Sequence, residues 1–337
     1  MKKIISIFIS VFLCFSIFLT SISAFENDIV NIDSVSISNS ESISLVSKNM
    51  IDGTITEWVF DSTQTRAYSN ELSIPPTYPT DIIYGSDTGI IPLEDRFDNR
   101  VHLTGSQIIG AVGYLYCEFD FDKDGVIDKI VKASASLQLN DIIISCAHAV
   151  WKKAGTGTSS DGWATSIKFY AGEDSEGNCI AMATGIIPTI SQSYVNNTTV
   201  MYNDDGTIFD EHPDFQNDWS IIQIDKNLTP SCGGLGLHGC GDPELDKLVY
   251  LVGYPDDKGN HEQWITSGRI VDFVDNIMYY TSYNATGFSG GPIIDSSYYV
   301  YGINTHMNPT QSGGTRMSPG LFGLIVQCRE EAEARWK

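Results

Sequence analysis

The feature that most constrains the fold is a series of short apolar segments separated by turn residues. Turn signals such as Asp124-Gly125 and Asp204-Asp205-Gly206 separate some of these segments. Such a series is typical of antiparallel β-structure, and it fits two successive β-barrels. The predicted strands are 109–119, 129–138, 141–147, 166–170, 180–187, 219–224, 247–253, 266–273, 277–281, 292–295 and 298–304.

The C-terminal end of the chain has a different pattern. Ser318 is a suitable N-cap, and Pro319 follows it at the helical position where proline is best tolerated. From Leu321 to Trp336 the sequence favours a helix. We therefore predict a C-terminal α-helix over residues 318–336.

Residues 281–294 contain a serine within a glycine-rich turn. Ser289 lies among three glycines, and a proline and an apolar run follow. Glycines allow a tight turn and bring backbone N–H groups close to an oxyanion that develops during attack on a carbonyl. A serine is a weak nucleophile without a base, and the base needs an acid to orient it. The rest of the chain must therefore supply a base and an acid.

Two residues at the ends of apolar strands fit these roles. His148 follows the apolar run that begins at Asp141, and Asp218 precedes the strand that ends at Asp225. Taken singly, His148 is better explained as a hydrogen-bonded histidine at a strand end, and Asp218 as a turn residue at a strand edge. Asp225, at the far end of the same strand, is the rival acid.

The order of the three residues along the chain distinguishes between two catalytic classes. His148, Asp218 and Ser289 follow one another at intervals of about 70 residues, in one of the known orders of a Ser-His-Asp triad. The turn around Ser289 also matches the nucleophile elbow of α/β-hydrolases. That class requires an acid and then a histidine after the serine. His306 is the only histidine that follows Ser289, with Asp295 between them, and there is no room for the intervening strands and helices.

Three segments resemble the chymotrypsin-like serine proteases. They are "SCAHAV" around His148, "NDWSIIQID" around Asp218 and "TGFSGGPIID" around Ser289. The chain is most similar to the bacterial glutamyl-endopeptidase-like branch, because residues 249–270 resemble its Gly-Tyr-Pro segment and residues 299–308 resemble its pocket-wall strand.

The resemblance covers roughly residues 82–337 and implies a fold. We expect an all-β protein with two antiparallel six-stranded β-barrels and a C-terminal α-helix. Barrel one should span about 105–225 and barrel two about 245–315.

The resemblance also implies an activity, hydrolysis of peptide bonds through an acyl-enzyme. Ser289 would be the nucleophile, His148 the base and Asp218 the orienting acid. The N–H groups of Gly287 and Ser289 would form the oxyanion hole. Two alternatives remain at this point: an inactive binding module with the same fold, and an esterase that uses the same site.

The specificity pocket departs from the glutamyl-preferring pattern. Asn304 stands where that branch has a histidine, and Asn284 stands where it has a hydroxyl side chain. Asparagines donate hydrogen bonds but carry no charge, so a weakened preference for Glu is expected. His306 lies two residues along the same predicted strand and would share the face of Asn304. The alternative is that both asparagines only cap the pocket walls.

The N-terminal part of the chain is interpreted as export and processing sequence. Residues 1–24 combine a basic start, an apolar core and a small-residue end, which is typical of a secretory signal peptide. Cys14 lies in this segment without a lipobox. Residues 25–81 read as a propeptide or linker, and residues 82–337 as the protease domain. We therefore expect a secreted, extracellular monomer.

Charge and cysteine content limit the partners. The chain has 42 acidic and 20 basic residues, a net charge of −22, which argues against nucleic acid as a partner. No segment after the first 24 residues is apolar enough to cross a membrane. The partners that the resemblance implies are protein or peptide substrates. Six cysteines remain after Cys14, and Cys232–Cys240 is the only local pair. Free buried cysteines are the alternative to disulfides.

One acidic segment resembles part of a calcium loop. Asp120, Asp122, Asp124 and Asp128 have the spacing of the first nine loop positions. The twelfth position is Val131 instead of a bidentate Glu. The segment is therefore either a calcium-binding hairpin tip or an acidic tight turn, and no cofactor is required for the proposed chemistry.

Overall fold

The structure is a computed structural model. It describes residues 42–61, 73–74, 76, 98–156, 161–203, 208–239, 242–259, 261–308 and 310–337. The expected signal peptide, residues 1–24, lies outside these residues. Within them, no helix is both long enough and apolar enough to span a membrane.

The described residues form mostly strands. The strands are β1 Ser42–Lys48, β2 Ile55–Asp61, β3 Ser73–Ile74, β4 Val101–His102, β5 Val112–Phe119, β6 Lys129–Leu139, β7 Ile142–Ser145, β8 Trp151–Thr156, β9 Asp161–Trp163, β10 Ser166–Ala171, β11 Ala181–Ser191, β12 Thr199–Tyr202, β13 Ile208–His212, β14 Ser220–Ile224, β15 Gly236–His238, β16 Leu248–Gly253, β17 Trp264–Val274, β18 Ile277–Tyr280, β19 Pro292–Ile294, β20 Tyr299–Met307 and β21 Ser312–Arg316. The α-helices are α1 Ala147–Val150, α2 Gln192–Asn197, α3 Thr229–Cys232 and α4 Pro319–Trp336. Two short 3-10 helices span Gly105–Gln107 and Asp256–Lys258.

Six strands close barrel one. They follow the order β10-β5-β6-β7-β14-β11, and β10 pairs with β11 to complete the ring. Every pairing around this ring is antiparallel. Inward side chains such as Leu115, Ile143 and Phe169 are fully buried, so the barrel is a packed core and not a channel.

Barrel two is built in the same way. Its order is β19-β16-β17-β18-β21-β20, closed by the pairing of β19 with β20. Helix α4 begins at Ser318, whose side chain accepts a hydrogen bond from the Leu321 N–H. The predicted fold of two six-stranded antiparallel barrels with a C-terminal helix is confirmed.

A hairpin in the predicted propeptide packs on barrel one. Strands β1 and β2 form this hairpin, and β1 pairs with the last residues of β11. Leu45 is 1 % exposed and Phe60 is 2 % exposed. The Ser47 hydroxyl lies 2.9 Å from that of Thr189 on β11, and the Lys48 ammonium lies 2.9 Å from the Asp161 carboxylate. The hairpin therefore shares the core of barrel one.

The cysteines in the described residues are unpaired. Cys117, Cys146, Cys179, Cys232 and Cys328 carry free thiols. Cys232, one member of the local pair that the sequence offers, is free, and Cys240 lies outside the described residues. The alternative of free cysteines is the one found at these five positions.

The docking of the hairpin predicts a stability effect. Replacing Leu45 by Ala should lower the free energy of unfolding by about 3 kcal/mol, because it removes a buried leucine from a packed core. Ser44→Ala is the matched control, since Ser44 is exposed on the same strand, and it should change stability by less than about 0.5 kcal/mol. Urea unfolding measures both values. Equal midpoints for the two variants would contradict the docked hairpin.

Candidate active site

His148 lies on a short helix that directly follows a strand of barrel one. The apolar run of β7 ends at Ser145, and α1 begins two residues later at Ala147. The His148 side chain is 16 % exposed, so most of the ring is buried while part of it remains open to solvent.

Strand pairing brings Asp218 to this histidine. Strand β14 pairs with β7, with Ser220 opposite Ser145. The residue two positions before Ser220 therefore lies beside the residues that follow Ser145. Asp218 Oδ2 is 2.6 Å from His148 Nδ1, and Asp218 Oδ1 accepts a hydrogen bond of 2.9 Å from the His148 backbone N–H. The Asp218 carboxylate is completely buried.

The rival acid has a different role. Asp225 lies just beyond the other end of β14, and its Oδ1 accepts a 2.8 Å hydrogen bond from the Thr184 backbone N–H. Its carboxylate is therefore bonded to the backbone of β11, and the structure brings Asp218 to His148 instead.

The environment of the pair changes the basicity of the imidazole. Burial by itself lowers the pKa of His148, because it disfavours the charged ring. The negative charge of Asp218, the neighbouring Cys146 and the hydrogen bonds to both residues act in the opposite direction and together outweigh burial, so the pKa of His148 is raised above its ordinary value. The buried carboxylate therefore stabilises the imidazolium.

The turn around Ser289 is held by strand β6 of the other barrel. Ser134 on β6 donates its backbone N–H to the Ser289 carbonyl at 2.7 Å and its hydroxyl to the Gly287 carbonyl at 2.8 Å. Gly290 has a φ of +80°, and a Cβ there would lie 3.0 Å from the Cys146 backbone nitrogen. A glycine is therefore required, and the turn lies directly against the segment that leads into His148.

Two backbone donors in this turn are available for a ligand. In the described part of the chain, neither the Gly287 N–H nor the Ser289 N–H is bonded to an acceptor. Gly287 has a φ of +93°, and a Cβ at this position would lie 2.8 Å from the Asp256 backbone nitrogen. The turn thus needs glycine for both conformation and space. Paired free N–H groups are what an oxyanion hole requires.

The two expected pocket asparagines contact each other. Asn284 Nδ2 donates to Asn304 Oδ1 at 2.9 Å and to the His306 carbonyl at 3.1 Å. Tyr280 donates its hydroxyl to the same Asn304 oxygen at 2.5 Å. Both asparagines are buried. Much of their hydrogen-bonding capacity is therefore already satisfied within the protein.

His306 lies beside an irregularity in β20. The pairing of β20 with β21 shifts between Asn304 and His306, so the strict alternation of faces assumed from sequence is interrupted there. The ring stacks on Phe215 at a centroid distance of 4.1 Å, and its Nδ1 lies 2.9 Å from the Thr305 hydroxyl. Burial lowers the pKa of His306, Asp218 opposes this, and His148 lowers it further. The net direction is down, which favours a neutral ring.

The acidic segment forms the tip of the β5–β6 hairpin. The Asp120 carboxylate accepts hydrogen bonds from the N–H groups of Asp124 and Gly125, and the Asp128 carboxylate accepts one from the Phe121 N–H at 2.6 Å. One ligand atom from each of Asp120, Asp122 and Asp124 lies within 4.8 Å of the others. These contacts fit an acidic turn and a calcium loop alike, so the calcium site stays a prediction.

Two features of the site were not foreseen from the sequence. Ser134 anchors the Ser289 turn, but nothing in its β6 surroundings marks it as different from an ordinary small core residue. Cys146 Sγ lies 3.5 Å from His148 Nε2. The sequence shows that this cysteine precedes the histidine by two residues, but the contact depends on the turn into α1.

Comparison with known proteins identifies the family. The model of the trypsin-like peptidase domain matches residues 130–303, which is more than half of the chain. The chain therefore belongs to the trypsin-like peptidase family, whose members are hydrolases of the chymotrypsin-like serine protease class. A search of curated proteins finds no match.

Several solved structures are similar to this chain, and the first of them, with a TM-score above 0.5, supports the fold. A Glu endopeptidase is 18 % identical, with a TM-score of 0.51, over 69 % of this chain and 98 % of the other. The protease Anisep from Arthrobacter nicotinovorans is 15 % identical, with a TM-score of 0.49, over 67 % and 96 %. The thermostable serine protease AL20 from an extremophilic microorganism is 11 % identical, with a TM-score of 0.47, over 67 % and 98 %. At these identities the likeness concerns the fold alone.

The contact between His148 and Asp218 predicts a change in titration. In Asp218→Asn the attraction that raises the pKa of His148 is lost while burial remains, so this pKa should fall below its wild-type value. Asp225→Asn is the matched control and should leave it unchanged. NMR titration of ¹⁵N-labelled histidine rings measures the pKa in each protein. A fall of the same size in both variants would contradict the contact.

Proposed function

We propose that the protein is a secreted serine endopeptidase that uses Ser289, His148 and Asp218 as its triad. The observation that carries the proposal is the buried Asp218–His148 pair, with Nδ1 and Oδ2 2.6 Å apart, next to the glycine-rich Ser289 turn. The family supports peptide-bond hydrolysis, and the two free N–H groups of this turn supply the donors that the reaction needs.

The proposed mechanism assigns a proton transfer to each step. Ser289 Oγ attacks the scissile carbonyl while His148 Nε2 accepts its proton, and the N–H groups of Gly287 and Ser289 stabilise the oxyanion. His148 then gives the proton to the leaving amine, which leaves an acyl-enzyme. A water molecule, deprotonated by His148, releases the acyl group. Asp218 holds Nδ1–H and stabilises the imidazolium in both halves of the reaction.

Export and processing are part of the same proposal. Residues 1–24 act as a signal peptide, and residues 25–81 act as a propeptide of an extracellular, monomeric enzyme that cleaves protein or peptide substrates. The buried residue before the nucleophile is Phe288, so activation does not use an acid at that position to bind a new N-terminal amine. The N-terminal sequence of the secreted protein tests these boundaries: a start near residue 82 supports them, and a start before residue 42 contradicts them.

We further propose a weakened preference for Glu before the scissile bond. Asn284 and Asn304 are uncharged and bonded to each other, so neither neutralises a substrate carboxylate. His306 is the nearby residue that can carry charge, and its lowered pKa leaves it mostly neutral at pH 7. Cleavage after Gln should therefore compete with cleavage after Glu, and the preference for Glu should increase in acid as His306 becomes protonated.

Cleavage of casein and of a peptide library tests both parts. The wild-type protein should cleave casein, and Ser289→Ala should reduce the rate by a factor on the order of 10⁶, as in other triads that lose the serine. In the library, the wild-type protein should accept Glu and Gln, and His306→Ala should reduce the preference for Glu.

The outcomes separate the alternatives. Ser289→Ala with near wild-type casein cleavage would refute the triad. Hydrolysis of esters without peptide cleavage would identify an esterase, and no hydrolysis of either would favour a binding module. Strict cleavage after Glu that does not change in His306→Ala would show that the proposed pocket is wrong while leaving the peptidase assignment intact.

A further inference from the structure

We infer that Cys146 and His148 form a binding site for a zinc-type cation, and that such a cation inhibits the enzyme reversibly. The inhibition rests on the proposed peptidase function, whereas the binding of the metal does not. The Cys146 thiol sulfur lies 3.5 Å from His148 Nε2. This nitrogen is the base in the proposed mechanism.

The distance between the two atoms fits a shared metal ion. Bonds of about 2.3 Å to sulfur and about 2.0 Å to nitrogen, at a tetrahedral angle, place the two donor atoms roughly 3.5 Å apart. The thiol and the imidazole therefore need almost no movement to bind one ion. Cys146 is a free thiol, so no disulfide competes for the sulfur.

The carboxylate behind the histidine completes the arrangement of a metal site. Histidine ligands of metals usually donate their other ring N–H to a carboxylate, which fixes the tautomer and the ring orientation. Asp218 Oδ2 accepts this contact from Nδ1 at 2.6 Å. The lone pair of Nε2 is thereby presented to the side where Cys146 lies. The His148 ring thus has a carboxylate at Nδ1 and a possible metal ligand beside Nε2, which is the arrangement of a carboxylate–histidine–metal triad.

The donor atoms select the class of cation. A thiolate and an imidazole favour zinc and other borderline or soft ions, whereas calcium and magnesium prefer oxygen ligands. Binding replaces the thiol proton, which passes to solvent, and forms one metal–sulfur and one metal–nitrogen bond. Cys146 is buried and the His148 side chain is 16 % exposed, so the histidine is the ligand that solvent reaches. While the metal occupies Nε2, this nitrogen cannot accept the proton of Ser289.

The test measures binding and inhibition separately on the full chain freed of metal. Zn²⁺ binding is followed by calorimetry, and Co²⁺ binding is followed by the thiolate-to-metal charge-transfer absorbance, which reports a bound sulfur. The proteins are the wild type, Ser289→Ala, Cys146→Ala and the matched control Cys328→Ala, in which a free cysteine of α4 is removed. Cys146→Ser replaces Cys146→Ala if the latter does not fold, as judged by circular dichroism.

We expect the wild type, Ser289→Ala and Cys328→Ala to bind one Zn²⁺ and to show the cobalt band. Cys146→Ala should lose the band and bind Zn²⁺ at least about tenfold more weakly, since even outer-shell changes at metal sites cost this much. Zn²⁺ should inhibit casein cleavage by the wild type, and a chelator should restore it, whereas Mg²⁺ should have no effect. Cys146→Ala should keep its own metal-free rate at Zn²⁺ concentrations that inhibit the wild type.

Two results would overturn the inference: equal Zn²⁺ affinity and inhibition in the wild type and Cys146→Ala, or the absence of a cobalt–thiolate band in the wild type. If casein is cleaved and Zn²⁺ does not act through Cys146, the metal site is wrong and the peptidase stands. If Zn²⁺ binds through Cys146 and no substrate is cleaved, the metal site stands and the peptidase proposal is wrong.

Discussion

The hydrogen bonds of one buried serine, Ser134, hold the two barrels in the relative position on which the site depends. Ser134 of barrel one donates to the carbonyls of Ser289 and Gly287 and accepts a 2.9 Å hydrogen bond from the Tyr254 N–H of barrel two. Its carbonyl accepts the Ser145 hydroxyl at 2.8 Å. Because the groups of Ser134 are all satisfied inside the protein, the turn that carries Ser289 is fixed against the end of the strand that precedes His148.

Features of the fold that arise from local sequence patterns were predicted, and features that arise from distant contacts were not. The order of His148, Asp218 and Ser289, most of the barrel strands and the C-terminal helix follow from local patterns, and the fold that the family resemblance implied is the one observed. Strand β21 was missed because Ser312–Arg316 is polar and glycine-rich. The hairpin β1–β2 was missed because its burial comes from pairing with β11, about 140 residues away, and the segment alone has no core pattern.

Side-chain partners were harder to predict than strands. The sequence suggested that Asn284 and Asn304 line a pocket, but not that they bond to each other. The prediction that Asn304 and His306 share a face holds only for a regular strand. The pairing of β20 with β21 shifts between these two residues. The contact of Cys146 with His148 depends on a turn of backbone at the end of β7. Each of these depends on geometry that residue order alone does not specify.

The proposed mechanism requires that Ser289 is a nucleophile activated by His148. This requirement can be tested by labelling with a serine-reactive phosphonate, followed by mass spectrometry of the peptides. We expect one label per chain, on Ser289, which is lost in His148→Ala and retained in Asp225→Asn. A label on another serine, or a label on Ser289 that forms equally fast in His148→Ala, would contradict it.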